Sequence, residues 1–201
     1  MCDANNIYLI TTFPSLKIDI NTYPAIKQHF NSFGFDRLKQ TGEIGSRKKT
    51  YNQWFETQDS ISFWEDFSKQ KIVWGEISDK AKFAVDIDGQ YVNEATTFLM
   101  VGNSLLYLVV YLNSKLSEYF FSKIGTTTGV GTVRWKKFTI EQLLVPKIDK
   151  EIQLKFENYA LEIIELIKLG KDYSQIDKCI NTLIYQVFCF SKEEIQFIEN
   201  Q

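Results

Sequence analysis

Between Gly125 and Lys137 the chain reads Gly-Thr-Thr-Thr-Gly-Val-Gly-Thr-Val-Arg-Trp-Lys-Lys. Three glycines and four threonines make an open backbone rich in hydrogen-bonding groups, and Arg134, Lys136 and Lys137 follow at once. That chemistry suits phosphates and base edges. Thr126, Thr127, Thr128 and Thr132, with close backbone approach at Gly129 and Gly131, can take phosphate oxygens, and Arg134 can fork onto a guanine edge. The segment is not a nucleoside-triphosphate loop, because it lacks Gly-Lys-Ser/Thr. It is not a dinucleotide fingerprint either, because the strand before it is missing. The competing reading is a helix C-cap and an ordinary surface loop, and the residues alone leave both open.

A second basic cluster, Ser46-Arg47-Lys48-Lys49-Thr50, precedes Asn52, Gln53 and Trp54. Arg47, Lys48 and Lys49 are candidate phosphate contacts, and Asn52 suits an adenine edge. Short charge runs are mostly solvated surface, so this cluster gains weight only beside the first. Asn52, Thr128, Thr132 and Arg134 are the base-reading candidates. Trp135 either buttresses the loop or packs in the core. The carboxylates Glu76, Asp86 and Asp88 invite a nuclease metal site, but Lys82 precedes Asp86, the reverse of the familiar order. Asp88 is better explained by a turn. His29 is the one histidine, and Cys2, Cys179 and Cys189 have no C-x-x-C spacing, so no metal site and no catalytic residue is assigned.

The elements that hold these segments follow from periodicity. Ile7 to Thr11 reads as a strand, and Pro24 opens a helix whose face is Ala25, Ile26, His29, Phe30 and Phe33, ended by Gly34. Thr41 to Tyr51 reads as an exposed loop. Asp59 caps a short helix carrying Ile61, Phe63, Trp64 and Phe67. Strands are expected at Lys71–Ile77, at Phe83–Ile87, from Tyr91 after the Asp88-Gly89 turn, and at Ala95–Val101, as an antiparallel meander. Leu105 to Phe120 keeps the spacing of one helix. From Asp149 an amphipathic helix runs to Gly170, a second carries Ile176 to Val187, and Ser191-Lys-Glu-Glu194 is a capping box for a third. The expected fold class is α+β: an antiparallel sheet domain with flanking helices over residues 1–148, then a helical hairpin over 149–201.

The chain's net charge is -2 and its pI near 5.6, which argues against a generic polyanion binder, so the basic character is local. At 201 residues with 44% hydrophobic content it can build a substantial core. The odd cysteine count favours a reducing, cytoplasmic setting. No basic n-region opens the sequence, and the apolar run Leu105–Leu112 is too short to span a bilayer, so no membrane partner is expected.

Several blocks resemble one family in order along the chain. They are Leu9-Ile-Thr-Thr-Phe-Pro-Ser-Leu, Tyr23-Pro-Ala-Ile-Lys, Lys71-Ile-Val-Trp-Gly-Glu-Ile-Ser, Tyr107-Leu-Val-Val-Tyr-Leu-Asn-Ser-Lys-Leu, Gly129-Val-Gly-Thr-Val-Arg-Trp and Glu141-Gln-Leu-Leu-Val-Pro. The tail, Gln175-Ile-Asp-Lys and Ser191-Lys-Glu-Glu-Ile, fits the same pattern. They look like the target-recognition domain of type IIG restriction-modification enzymes, which are fused endonucleases and adenine methyltransferases. That region is similar to the C-terminal specificity domain of gamma-class adenine-specific DNA methyltransferases and to type I specificity subunits.

The resemblance implies sequence-specific recognition of double-stranded DNA by loops that enter the major groove. A methyltransferase domain, in cis or in trans, would flip and methylate an adenine. S-adenosylmethionine and Mg would belong to the catalytic domains, with no cofactor in this chain, and the C-terminal helices would be a spacer or docking arm. The departures are equally clear. The Asn-Pro-Pro-Tyr/Phe motif, the glycine-rich S-adenosylmethionine motif and the nuclease motif are absent, and Pro14, Pro24 and Pro146 are isolated. The expectation is therefore a fragment or subunit of a type II restriction enzyme, without catalysis of its own. The alternative is a protein-interaction module that docks a partner through its helical hairpin. A free-standing hydrolase has only the scattered carboxylates behind it.

Overall fold

The computed structural model describes residues 8–127 and 132–201. It is an α+β structure, as expected, and the chain divides into two compact units between Trp64 and Glu65.

The first unit, Ala4–Trp64, holds helices α1 (Pro24–Ser32) and α2 (Phe35–Leu38) and a small core of Phe13, Ile20 and Phe55. Pro24 sits in the first turn of α1, where its missing N–H has no partner to lose, and Gly34 follows the helix at φ +87°. The expected core face of α1 is not one: none of its residues is buried, and Phe33 is half exposed. The expected strand is also absent. Its described part, Tyr8 to Thr11, is irregular, and Tyr8, Leu9 and Ile10 are exposed. β-branched residues favour extended backbone, but a strand needs a neighbour to take its amides. The short helix expected after Asp59 is a 3₁₀ turn, Trp64–Ser68.

The second unit, Glu65–Gln201, contains the main core and two three-stranded sheets among the described residues. In the first sheet β1 (Lys71–Gly75) lies between β3 (Ala84–Asp86) and β4 (Thr97–Met100), antiparallel to both. The order is therefore not a meander, because β4 crosses to the far edge of β1. Period-two alternation turns Ile72 and Trp74 inward, where Trp74 stacks on Phe98 at 5.5 Å across the pair Trp74↔Phe98.

Lys71 is wholly buried, its ammonium on the Phe67 carbonyl (2.7 Å) and the Asp86 carboxylate. Asp86 also accepts the amides of Gln90 and Tyr91. Those amides are thereby spent on a side chain, and the strand expected from Tyr91 does not form. Gly89, at φ +63°, closes this turn where a Cβ would lie 2.3 Å from the Ser68 carbonyl oxygen. The second sheet joins β2 (Ile77–Ser78), β6 (Val133–Arg134) and β5 (Thr126–Thr127), with β6 in the middle.

Helix α3 (Leu105–Leu112) is apolar nearly all round and packs against β1, β3 and the helices α4 (Lys115–Ile124), α6 (Lys150–Lys168) and α7 (Ser174–Val187). One continuous helix was expected over Leu105–Phe120. Asn113 interrupts it by giving its amide to Phe83, donating to the carbonyl and accepting from the N–H, and Ser114 then caps α4. The same Asn113 contacts delay β3 until Ala84. A short α5 (Lys137–Ile140) follows β6. Tyr107 donates to the Pro146 carbonyl at 2.9 Å and Tyr111 to that of Leu144, which fixes the approach to α6. Burial pushes the Tyr107 phenol up to about 12 and raises that of Tyr111 as well.

The C-terminal helices match their expected signals. Asp149 caps α6, Gly170 follows it at φ +64°, and Ser191 and Glu194 form the capping box of α8 (Lys192–Glu199). The composition boundary at residue 148 marks the start of α6; packing joins α6–α8 to the unit that begins at Glu65. No helix of the described residues is long and apolar enough to cross a membrane.

Candidate nucleic-acid interface

The glycine-threonine segment is flanked by a β-hairpin. Its arms are β5 and β6, paired Thr126↔Arg134 and Thr127↔Val133, and β6 pairs on its other side with β2 through Ile77↔Arg134. Thr128, Gly129 and Gly131 lie outside the described residues.

What holds the hairpin is a set of local contacts that sequence order does not reveal. Helix α4 ends at Gly125, where a Cβ would lie 2.8 Å from both the carbonyl oxygen and the ring of Phe121. Only glycine lets the chain leave the helix so close to Phe121, and β5 begins at the next residue. Trp135, at the exit of β6, lies flat on Phe121 with ring centroids 3.8 Å apart and planes 7° from parallel. Its backbone is gripped twice: its N–H donates to the Glu76 carbonyl at 2.7 Å, and its carbonyl accepts the Trp74 indole N–H at 2.8 Å. Trp135 is 3% exposed, so it belongs to the core and buttresses the hairpin at the same time. Its own indole N–H is buried with no acceptor among the described residues.

One residue before this anchor, the Arg134 side chain reaches the surface with 42% exposure and donates through Nη1 to Glu76 Oε1 at 3.0 Å. Thr132 and Lys136 are partly exposed, and Lys137 is exposed and pairs loosely with Glu141 at 3.8 Å. The chain turns after Arg134, with the Lys136 N–H on its carbonyl, and places Lys136 and Lys137 at the start of α5.

The other basic segment is built differently. Arg47 spreads its guanidinium over three carbonyls: Nε to Leu38 and Nη1 to Glu56, both at 2.8 Å, and Nη2 to Trp54 at 2.5 Å. Burial lowers its pKa from the ordinary arginine value. Gln40 reinforces the same loop, donating to the carbonyls of Gln53 and Glu56 and accepting from Thr50. Asn52 donates to the carbonyls of Thr57 and Gln58. Arg47 and Asn52 are thus engaged in shaping the loop, and contact with a phosphate or an adenine would have to displace those bonds. Lys48 and Lys49 project into solvent.

In the sequence Glu76 is one of three carboxylates that invite a metal site. Its position on the guanidinium, 58 residues away in the chain, has no local signal. Asp86 is likewise committed, to Lys71 and two amides. Among the described residues no three acidic, histidine or cysteine side chains converge on a point where a metal could sit.

The hairpin thus presents an arginine beside a partly exposed and an exposed lysine, the residue types with which nucleic-acid-binding domains contact their partner. Residues 19–145, well over half of the chain, match the TaqI-like C-terminal specificity domain, and the chain belongs to that family. At that level its function is sequence-specific DNA recognition in restriction-modification. No curated protein matches the chain.

Proposed function

We propose that this chain is the recognition part of a type II, IIG-like, adenine-specific DNA methyltransferase-endonuclease. The β5–β6 hairpin enters a groove, Arg134 reads a base edge, and Thr126, Thr127, Thr132, Lys136 and Lys137 contact the DNA backbone nearby, together with Thr128, Gly129 and Gly131. Lys48 and Lys49 add phosphate contacts from a loop whose shape Arg47 and Asn52 maintain. Methylation and cleavage belong to a methyltransferase/endonuclease domain in cis or in trans, which would bring S-adenosylmethionine and Mg. The observation that carries this reading is the anchoring of Trp135 on Phe121, Glu76 and Trp74, because it fixes the backbone from which Arg134 reaches the surface. A reader must be pre-positioned if its hydrogen bonds are to discriminate between bases.

The experiment is duplex binding by the chain at several salt concentrations. Recognition predicts a log K against log salt slope of several units, about 0.9 for each phosphate neutralised. A chain that binds duplex DNA with no slope, or does not bind, would refute the proposal. A second reading has its own observation. Tyr119, Phe120, Leu144, Phe188, Phe190 and Phe197 line an apolar cleft of about 550 Å³ beside α8, as a protein-docking module would require. That reading alone predicts no DNA binding at any salt.

A further inference from the structure

We infer that Glu76 is a specificity-positioning residue: it sets the plane in which Arg134 meets a base. The inference rests on the reading of Arg134 as a base reader. Glu76 lies where β1 gives way to β2, and its backbone is tied on both sides. Its N–H donates to the Thr96 carbonyl at 3.3 Å, and its carbonyl accepts the Trp135 N–H at 2.7 Å. The first bond ties it to the segment leading into β4, and the second ties it to the residue that follows Arg134. The carboxylate therefore projects from a fixed point, and Oε1 takes Arg134 Nη1 at 3.0 Å. Arg134 in turn is held by β6, with β2 on one side and β5 on the other.

A guanidinium is planar and carries five N–H donors, so one acceptor on Nη1 uses a single donor and restricts the orientation of the others. A flexible arginine on a hairpin would have to be ordered when it meets DNA, at the expense of several rotatable bonds. An arginine already paired with a carboxylate arrives with part of that ordering done. The carboxylate also restricts what the arginine will accept. A guanidinium whose orientation is restricted matches the paired acceptors of a guanine held in that orientation and fits other base edges less well. Glu76 itself carries a negative charge, so its effect runs through geometry and not through attraction to DNA. Its loss is then expected to change preference more than affinity.

The test is competition binding of the chain to its preferred duplex and to duplexes that carry single base-pair changes, with Glu76→Ala, Glu76→Gln, Glu76→Leu and Arg134→Ala. Glu76→Ala is expected to reduce discrimination about tenfold at one base pair, the same one affected by Arg134→Ala, and to leave the others unchanged. Glu76→Gln keeps an acceptor oxygen at the same place and is expected to stay within about threefold of the parent, while Glu76→Leu, which fills similar volume without an acceptor, is expected to lose the same discrimination and serves where Glu76→Ala does not fold. Uniform weakening at every position by a folded Glu76→Ala or by Glu76→Gln would show a structural brace and overturn the inference. A shift with Arg134→Ala and none with a folded Glu76→Ala would overturn it while leaving Arg134 as the reader. No shift with Arg134→Ala would refute the reading itself.

Discussion

Around Arg47 the guanidinium is turned inward, over three main-chain carbonyls, while the two lysines beside it face solvent. In the hairpin Arg134 is turned outward, half exposed and held by one carboxylate, above a tryptophan that is fully packed. Both segments are an arginine followed within three residues by two lysines. The first spends its arginine on folding a loop that has little apolar core to hold it. The second has Phe121, Trp74 and Trp135 beneath it, so its arginine is not needed for cohesion. Whether the arginine of a basic run is turned inward or left at the surface follows the apolar support beneath it in these two segments, and residue types alone do not report that.

The comparison predicts opposite consequences for inward and outward cations. The largest effect belongs to the most buried one. Asp86→Ala leaves the Lys71 ammonium buried without its counter-ion, and urea unfolding should show a loss of about 3–5 kcal/mol. The pH dependence has a definite sign. Burial by itself would raise the Asp86 carboxyl, but Lys71 and the amides of Tyr91 and Gln90 outweigh it, and its pKa lies below the ordinary carboxylate value. The stabilisation is thus complete above the unfolded pKa of about 4 and is lost as pH falls through the lower folded value. Acid unfolding of the parent and of Asp86→Ala should converge at low pH, and a parallel pair of curves would refute that assignment.

Arg47→Ala comes next. It leaves carbonyls at Leu38, Trp54 and Glu56 without their donor and should cost about 2–4 kcal/mol. Base preference should not change, and a change in preference without loss of stability would dissolve the contrast with Arg134. Arg134→Ala should behave in the opposite way. Its half-exposed ion pair contributes under about 1 kcal/mol to stability, whereas discrimination at one base pair should fall by about 1–3 kcal/mol in competition binding. The smallest effects belong to the exposed lysines. Lys49→Ala and Lys137→Ala should each flatten the salt slope by about 1 and weaken all duplexes alike.

Elements with local signals were legible in the sequence. Pro24, Asp149, Gly170 and the Ser191–Glu194 box are chemical marks of helix ends, and the structure uses each of them. What was not legible depends on distant partners. Asn113 looks like one more helical residue until Phe83 takes its amide, and Tyr91 looks like a strand residue until Asp86 takes its N–H. β4 crosses to the far edge of β1 because of pairing that no local pattern encodes. The site shows the same division. The glycine-threonine segment stands out by composition, but the Glu76 carboxylate that pairs with Arg134 and the stack of Trp135 on Phe121 are contacts between remote segments.

The account stands most directly on enrichment of the chain against a randomised duplex pool, for the parent and for Arg134→Ala. It predicts a single motif for the parent and the same motif with one position relaxed in the variant. A pool that shows no enrichment, or a motif that Arg134→Ala leaves intact at every position, would contradict it.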